Sequence, residues 1–347
     1  MRVHHGLGLA AFIAAAMAVS CTSPPRQGQA PSGSSAPANV ASSANRKLPA
    51  RVDLGIATII DHPALQAAID GFKEALAEAG YHEGSNLTID LRNAQGSAAN
   101  VATIASGLAG SNKTLILTVG TDLTRAMAER APRAPIVFTA VTDPVGAKIV
   151  DSLGKPGKPV TGTSDMNPVA DQLALIRELQ PSAKRVGILY NPGEVNSVVL
   201  VRLAKAAAPA LGLTAVEATA NNTAGVRAAA SSLVGKVDAA YMPTDNTMAA
   251  AINVIIDVCR EAKIPFYSSE SDSVAKGGSL AALAVDYRGL GRQTGAMAIE
   301  ILKGRSPESI PVEKAKAFEL HVNLVVAERL GIQVPDSVRA RATRLIR

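Results

Sequence analysis

Polar clusters that follow apolar runs carry the chemistry available to this chain. They are His62 after ATIID, Thr121 and Asp122 after TLILTVG, and Thr142 and Asp143 after IVFTAV. Asn191, Glu194, Asn196 and Ser197 follow VGILY, Thr244, Asp245 and Asn246 follow AAYMP, and Asp286 and Tyr287 follow ALAV. Hydroxyls, carboxamides and carboxylates of this kind bind a polar solute through hydrogen bonds and counter-charge. Each cluster also precedes a helical pattern, where Ser, Thr, Asp and Asn cap helices in any α/β protein. Capping explains any one cluster as well as binding does. Their recurrence in both halves of the chain favours a shared polar cleft, because ligands of open parallel sheets sit outside the carboxyl ends of the strands.

Catalytic alternatives lack their parts. The chain has no GxxxxGK[ST] phosphate loop, no HExxH, no GxSxG elbow and no metal-type Cys/His cluster. The glycines of GLGRQTG (289–295) are spaced wrongly for a dinucleotide loop and read as a turn and helix start. The histidines at 4, 5, 62, 82 and 321 are scattered. No catalytic residue, metal site or cofactor is therefore expected. Cys259, in INVIIDVCREA, reads as a buried structural thiol.

The elements that must position these clusters alternate in period. RVDLGIATII, NLTIDLRNA, TLILTVG and APIVFTAV read as strands separated by amphipathic helical stretches. A Gly/Pro/Lys-rich stretch, SLGKPGKPVTGTSD (152–165), then intervenes as a junction. The pattern restarts with VADQLALIRELQP, RVGILY, TAVEATA, DAAYMP, IPFYSSE and LAALAVDY. Repeated β/α units predict parallel sheets covered by helices. Two such sets, joined around a Gly/Pro-rich crossover, predict an α/β protein of two lobes with a cleft between them.

The start of the chain has a different composition. MRVHH is short and basic, residues 6–19 are almost all small or apolar, and AVSC ends the run at Cys21. A run this short falls below the roughly 20 residues needed to span a bilayer as a helix, and a secretory leader fits it. AVSC resembles the lipobox of bacterial lipoproteins, which makes 1–20 a signal peptide and Cys21 the lipidated mature N-terminus. An ordinary leader with a chance cysteine is the alternative. With Cys21 committed to lipid, Cys259 has no disulfide partner. Residues 22–50, rich in Ser, Pro, Ala, Gly and Asn, read as a flexible tether.

Composition limits the partners. Formal net charge is +6, charged residues make up 18% and there is no Trp, so a nucleic-acid surface of basic runs with stacking aromatics is not expected.

HPAL (62–65), VTDPVGAKIV (141–150), KPGKPVTGTSD (155–165), LYNPGEVNS (189–197), PTDN (243–246) and VNLVVAERLGIQVP (322–335) together resemble the TrpX-like ABC-transporter substrate-binding lipoproteins. Tryptophan and tyrosine binders belong to that family. The resemblance implies a type I periplasmic-binding-protein fold: two Rossmann-like lobes with parallel sheets, three crossovers and a small ligand enclosed in the cleft between the lobes. It implies a first lobe of 51–162 plus 287–315 and a second of 163–286 plus 316–347.

On this resemblance the expected function is that of a lipid-anchored, extracytoplasmic receptor for an ABC importer. It would be a monomer that captures a small zwitterion, an amino acid above all. Permease and ATPase would be separate chains, and the membrane would be reached only through the anchor. Asp245, Glu194 and Asp286 are candidates to oppose an ammonium, and Thr121, Thr142 and Ser197 to receive a carboxylate near helix N-termini. Asp143, Asn196 and Asn246 complete the polar set. His62, Tyr190, Tyr267 and Tyr287 are the residues available for an aromatic wall. A sensory or structural lipoprotein without a permease, and a secreted α/β enzyme, are the competing classes.

Overall fold

The computed structural model describes residues 47–347. The leader, the expected lipidation at Cys21 and residues 22–46 of the tether lie outside the described residues. In chain order the strands are β1 (Val52–Thr58), β2 (Leu87–Asn93), β3 (Leu115–Val119), β4 (Ile136–Thr139), β5 (Val160–Ser164), β6 (Arg185–Tyr190) and β7 (Thr214–Thr219). They continue with β8 (Ala239–Met242), β9 (Phe266–Ser268), β10 (Ala281–Val285), β11 (Glu313–Lys314), β12 (Phe318–Asn323) and β13 (Arg344–Ile346).

These strands form two sheets, ordered β11-β5-β4-β3-β1-β2 and β13-β12-β10-β9-β8-β6-β7. Both contain the same doubly wound run. It is β2-β1-β3-β4-β5 in the first sheet and β7-β6-β8-β9-β10 in the second, and every pairing within those runs is parallel. Helices cover both faces, so β3, β4, β5 and β8 are buried along their whole length, as central parallel strands are. The period-2 alternation of β6 divides the second lobe's core: Val186, Ile188 and Tyr190 join the cluster on one face, Leu189 that on the other. The result is the expected type I periplasmic-binding-protein architecture of two Rossmann-like lobes.

Two features depart from the sequence reading. Val160–Ser164 is a buried strand rather than part of a junction. Its apolar signal is one valine, but its hydroxyls find partners: Thr161 donates to the Ile310 carbonyl at 2.7 Å, Thr163 meets Thr294 Oγ1 at 2.7 Å and Ser164 donates to the Thr142 carbonyl at 2.8 Å. A polar strand can be buried when each group is satisfied. The boundary expected between 162 and 163 thus falls inside β5, and the chain leaves the first sheet after Ser164.

The second departure is β12, which pairs antiparallel with β10. The chain leaves β10 at the cleft end, adds the helix Tyr287–Leu302 and β11 to the first lobe, and returns at that same end. Val285 therefore stands opposite Phe318, and Asp286 N–H donates to the Ala317 carbonyl at 3.2 Å.

The glycine pattern at 289–295 also has a packing explanation. A Cβ on Gly291 would overlap the Ala68 carbonyl, and one on Gly71 would overlap that of Arg288. These glycines let the helices Pro63–Glu78 and Tyr287–Leu302 approach backbone to backbone, which ties residues returning from the second lobe into the first lobe's core.

Candidate functional site

The carboxyl ends of β1 and β3, and of β6 and β8, are the points where strand order reverses in each sheet. The clusters at His62, Thr121, Asn191 and Asp245 sit there, and those at Thr142 and Asp286 follow β4 and β10. In the first lobe His62 is the N-cap of the helix Pro63–Glu78, and its Nδ1 accepts from Ala64 N–H at 3.3 Å. Because Nδ1 accepts, the neutral ring carries its proton on Nε2. Thr121 opens the helix Thr121–Glu129, whose N-cap, Gly120, lies at φ 102 and supplies no side-chain cap. Thr121 Oγ1 accepts from Thr142 N–H at 3.4 Å, and Thr142 Oγ1 donates to Asp165 Oδ1 at 2.9 Å. Tyr287 OH donates to Asp165 Oδ2 at 2.8 Å. Burial pushes the Asp165 carboxyl up despite these donors.

Asp143 accepts from Gly146 N–H at 2.9 Å. It stabilises a run of turns, not the helix expected after this strand. Pro144 and Gly146 are the turn residues that sequence inspection could have weighted more heavily.

In the second lobe, two carboxylates organise the helix Asn246–Ala250. Asp245 is its N-cap: Oδ1 accepts from Met248 N–H at 2.7 Å, while Oδ2 accepts from Asn191 N–H at 2.6 Å and from Ser197 Oγ at 2.7 Å. Burial first, and the charge of Glu194 second, raise the Asp245 carboxyl to about 7. Glu194 Oε2 accepts from Asn246 N–H at 2.9 Å and Asn246 Nδ2 at 2.7 Å, and its Oε1 accepts from Thr247 N–H at 2.9 Å and Thr247 Oγ1 at 2.7 Å. Both carboxylates are therefore filled by the protein's own donors. Asn196 is buried, and its Oδ1 has no hydrogen-bond partner among the described residues.

Three further candidates are engaged by partners outside these networks. Tyr190 lies in the second lobe's core and donates to Glu217 at 2.5 Å, a bond that with burial raises the phenol to about 12. Tyr267 points to Gln180 Oε1 at 2.9 Å. Asp286 caps the helix Tyr287–Leu302 through Gly289 N–H at 2.9 Å.

Sequence inspection passed over Asp165 and Glu270. Glu270 follows β9, and its side chain is 7% exposed. Its Oε2 lies 3.9 Å from His62 Nε2 of the other lobe, and neither oxygen has a hydrogen bond among the described residues. Burial pushes its carboxyl up, against the opposing influence of His62. The signal was available: IPFYSSE ends a strand with a carboxylate, as the other clusters do.

The lobes meet elsewhere as well. The helix Thr121–Glu129 touches the helix Val195–Ala207, and Val195 packs on the first lobe's core. Asp122 is raised chiefly by burial, with Glu194 of the other lobe adding to the shift and Arg125 opposing it. Among the described residues no Lys or Arg is buried, whereas Asp165, Glu194, Asp245 and Glu270 are. No group of described residues is placed to hold a metal ion. Cys259 is buried, and burial raises its thiol to about 12.

The family model for ABC transporter substrate binding proteins matches residues 53–346. The chain belongs to this family. Substrate-binding proteins of this kind capture a solute for an ABC transporter and are not a class of enzyme. This substrate-binding protein is 38% identical over 295 residues to a tyrosine-binding protein of Clostridioides difficile, covering 84% of this chain and 85% of the relative. It also resembles an ABC domain from Streptococcus pneumoniae solved with L-Trp, at 33% identity and a TM-score of 0.82, covering 85% of this chain and all of the other. Against the ligand-free, open structure of a substrate-binding protein with adhesive properties from Clostridium difficile, identity is 37% over 85% of this chain and 99% of that one, but the TM-score is 0.66.

Proposed function

We propose that this chain is the extracytoplasmic receptor of an ABC importer for an amino acid of the aromatic class, without catalytic activity of its own. The observation that carries this reading is the polar cleft at the two switch points, in a chain similar to one protein named for tyrosine and another solved with L-Trp. A permease and an ATPase would be separate chains. Cys21, acylated after removal of the leader, would hold the receptor at the membrane surface through the tether.

Sheet membership supports a first lobe of 51–162 plus 287–315 and a second of 163–286 plus 316–347, with the first crossover moved to just after Ser164. Thr121, Thr142, Asn196 and Ser197 line the ligand's side of the cleft in this reading. Asp245, Glu194 and Asn246 shape the second lobe's wall without touching the ligand's charge. His62 and Tyr287 supply the aromatic surface. Unfilled N–H groups at the start of the helices Thr121–Glu129 and Val195–Ala207, neither of which has a side-chain cap, suit the ligand's carboxylate.

Thermal unfolding of the purified chain against the twenty common amino acids tests the class. L-tyrosine and L-tryptophan should raise the midpoint and give saturable calorimetric binding. If neither does while an aliphatic or acidic amino acid binds, the aromatic assignment is wrong.

A further inference from the structure

We propose that Glu270 is the counter-charge for a protonated amine on the ligand, with His62 facing that carboxylate from the opposite lobe. The choice of probes rests on the amino-acid reading above, but the geometry stands without it. Four carboxylates are buried in the described chain, at Asp165, Glu194, Asp245 and Glu270. Three have both oxygens occupied by donors from the protein. Glu270 has none.

The Glu270 carboxylate is nearly buried yet not sealed, since only Asn196 Oδ1 and His321 Nδ1 are fully buried without a partner among the described residues. A carboxylate so placed, with no protein donor and a small opening, is costly unless a ligand or solvent supplies the donors. The approach of His62 does not satisfy it, because 3.9 Å exceeds hydrogen-bond length even with the lobes in contact. The other charged groups acting on Glu270, Asp165 and Asp272, are acidic, so its surroundings favour a cation. An ammonium has three N–H donors and no acceptor, which suits a carboxylate with all its lone pairs free. The position between the lobes adds a consequence. A ligand amine seated on Glu270 of the second lobe would lie beside His62 of the first, so recognition of the amine and approach of the lobes occur at one point.

Calorimetry on the full chain and its Glu270→Gln variant tests this, with L-tyrosine and its des-amino analogue 3-(4-hydroxyphenyl)propanoate as probes. The wild type should prefer the amine-bearing probe by about a hundredfold or more, and the variant should lose most of that preference. Without ligand, the variant should unfold at a temperature no lower than the wild type, since it removes a buried unpaired charge. A purely structural glutamate would give the reverse: lower stability and an intact preference. Glu270→Asp, which keeps the charge on a shorter arm, should retain part of the preference and provides the readout if the Gln variant does not fold. An unchanged preference in a folded variant overturns the assignment. Should the wild type bind neither aromatic amino acid, the aromatic reading falls by itself. The same comparison is then made with whichever solute from a panel of amines, sugars and carboxylates does bind. An amine-free ligand held equally by both proteins overturns the role of Glu270.

Discussion

Tyr287 donates a 2.8 Å hydrogen bond to Asp165, and the two residues stand at different passages of the chain between the lobes. Asp165 follows β5, where the chain first leaves the first sheet, and Tyr287 follows β10, where it first returns. One bond between buried side chains therefore joins two strands of the connection. Thr142 Oγ1 supplies the second donor to the same carboxylate, from the end of β4.

Tyr287→Phe should leave Asp165 Oδ2 buried with no donor while preserving the ring's packing. Stranding a buried acceptor costs about 1–3 kcal/mol. Urea unfolding followed by circular dichroism should show a lower midpoint with an unchanged slope. A midpoint equal to that of the wild type would mean that this bond adds nothing to the folded state.

The charge state of the second lobe's wall makes stability depend on pH in a defined direction. Asp245 is raised to about 7, from an unfolded value of about 3.9. Between those values the folded chain holds a proton that the unfolded chain has released. This contribution to stability is complete below about pH 4 and is lost as pH rises through about 7. Asp165 and Glu270 are displaced in the same direction by burial. Asp90, held low by Arg92, and Asp238, held low by the Lys184 N–H, act in the opposite sense, but below the ordinary carboxylate range. The urea midpoint should therefore be higher at pH 5 than at pH 8. Asp245→Asn should lower stability at pH 5, because its single side-chain oxygen cannot serve both the Met248 and Asn191 N–H groups, and it should shrink the difference between the two pH values. A wild-type midpoint that climbs from pH 5 to pH 8 would contradict this account.

The positions of the polar clusters were legible in the sequence because strand ends announce themselves: an apolar run stops and a polar residue precedes a helical period. What each carboxylate does there was not legible. Asp245 is occupied by Asn191, and Glu194 by Asn246 and Thr247, across more than fifty residues of sequence. Only the fold decides which strand ends become neighbours. Glu270 has the same local signature as the others and differs only in what fails to reach it. β5 escaped notice because its hydroxyls are satisfied by partners as distant as Ile310 and Thr294. The reversal at β12 follows from the end at which the chain re-enters the second lobe, which no local pattern encodes.

The tether and Cys21 make a separate prediction about location. Acyl chains contribute about 0.8 kcal/mol per buried CH₂, and more than one chain is needed for stable anchoring. Among the described residues no helix is long and apolar enough to cross a membrane, so within them nothing else of that kind competes with the anchor. Expressed in a bacterial host, Cys21→Ala should move from the membrane fraction to the soluble extracytoplasmic fraction. Retention in washed membranes would exclude lipidation at Cys21 as the means of attachment.

Ligand should draw the lobes together. Thr142 and His62 belong to the first lobe's strand ends, Ser197 and Glu270 to the second's, and a small solute can touch both sets only when the cleft is shut. A ligand that contacts both sets binds the closed arrangement better and shifts the population toward it. In such a closure the rotation would be absorbed by the segments that link β5 to the helix Val169–Leu179, β10 to the helix Tyr287–Leu302, and β11 to β12, with each lobe moving as a rigid body. Val145 in the first lobe and Val198 in the second are both exposed and can carry spin labels without entering either core. With ligand in excess the distance distribution between the labels should narrow and move to shorter values. The ligand-free protein should show a longer, broader population, as the open relative leads one to expect. Tyr287→Phe, which frees one of the linking segments, should broaden the ligand-free distribution further. If saturating ligand leaves the wild-type distribution unchanged, capture does not proceed by closure of this cleft.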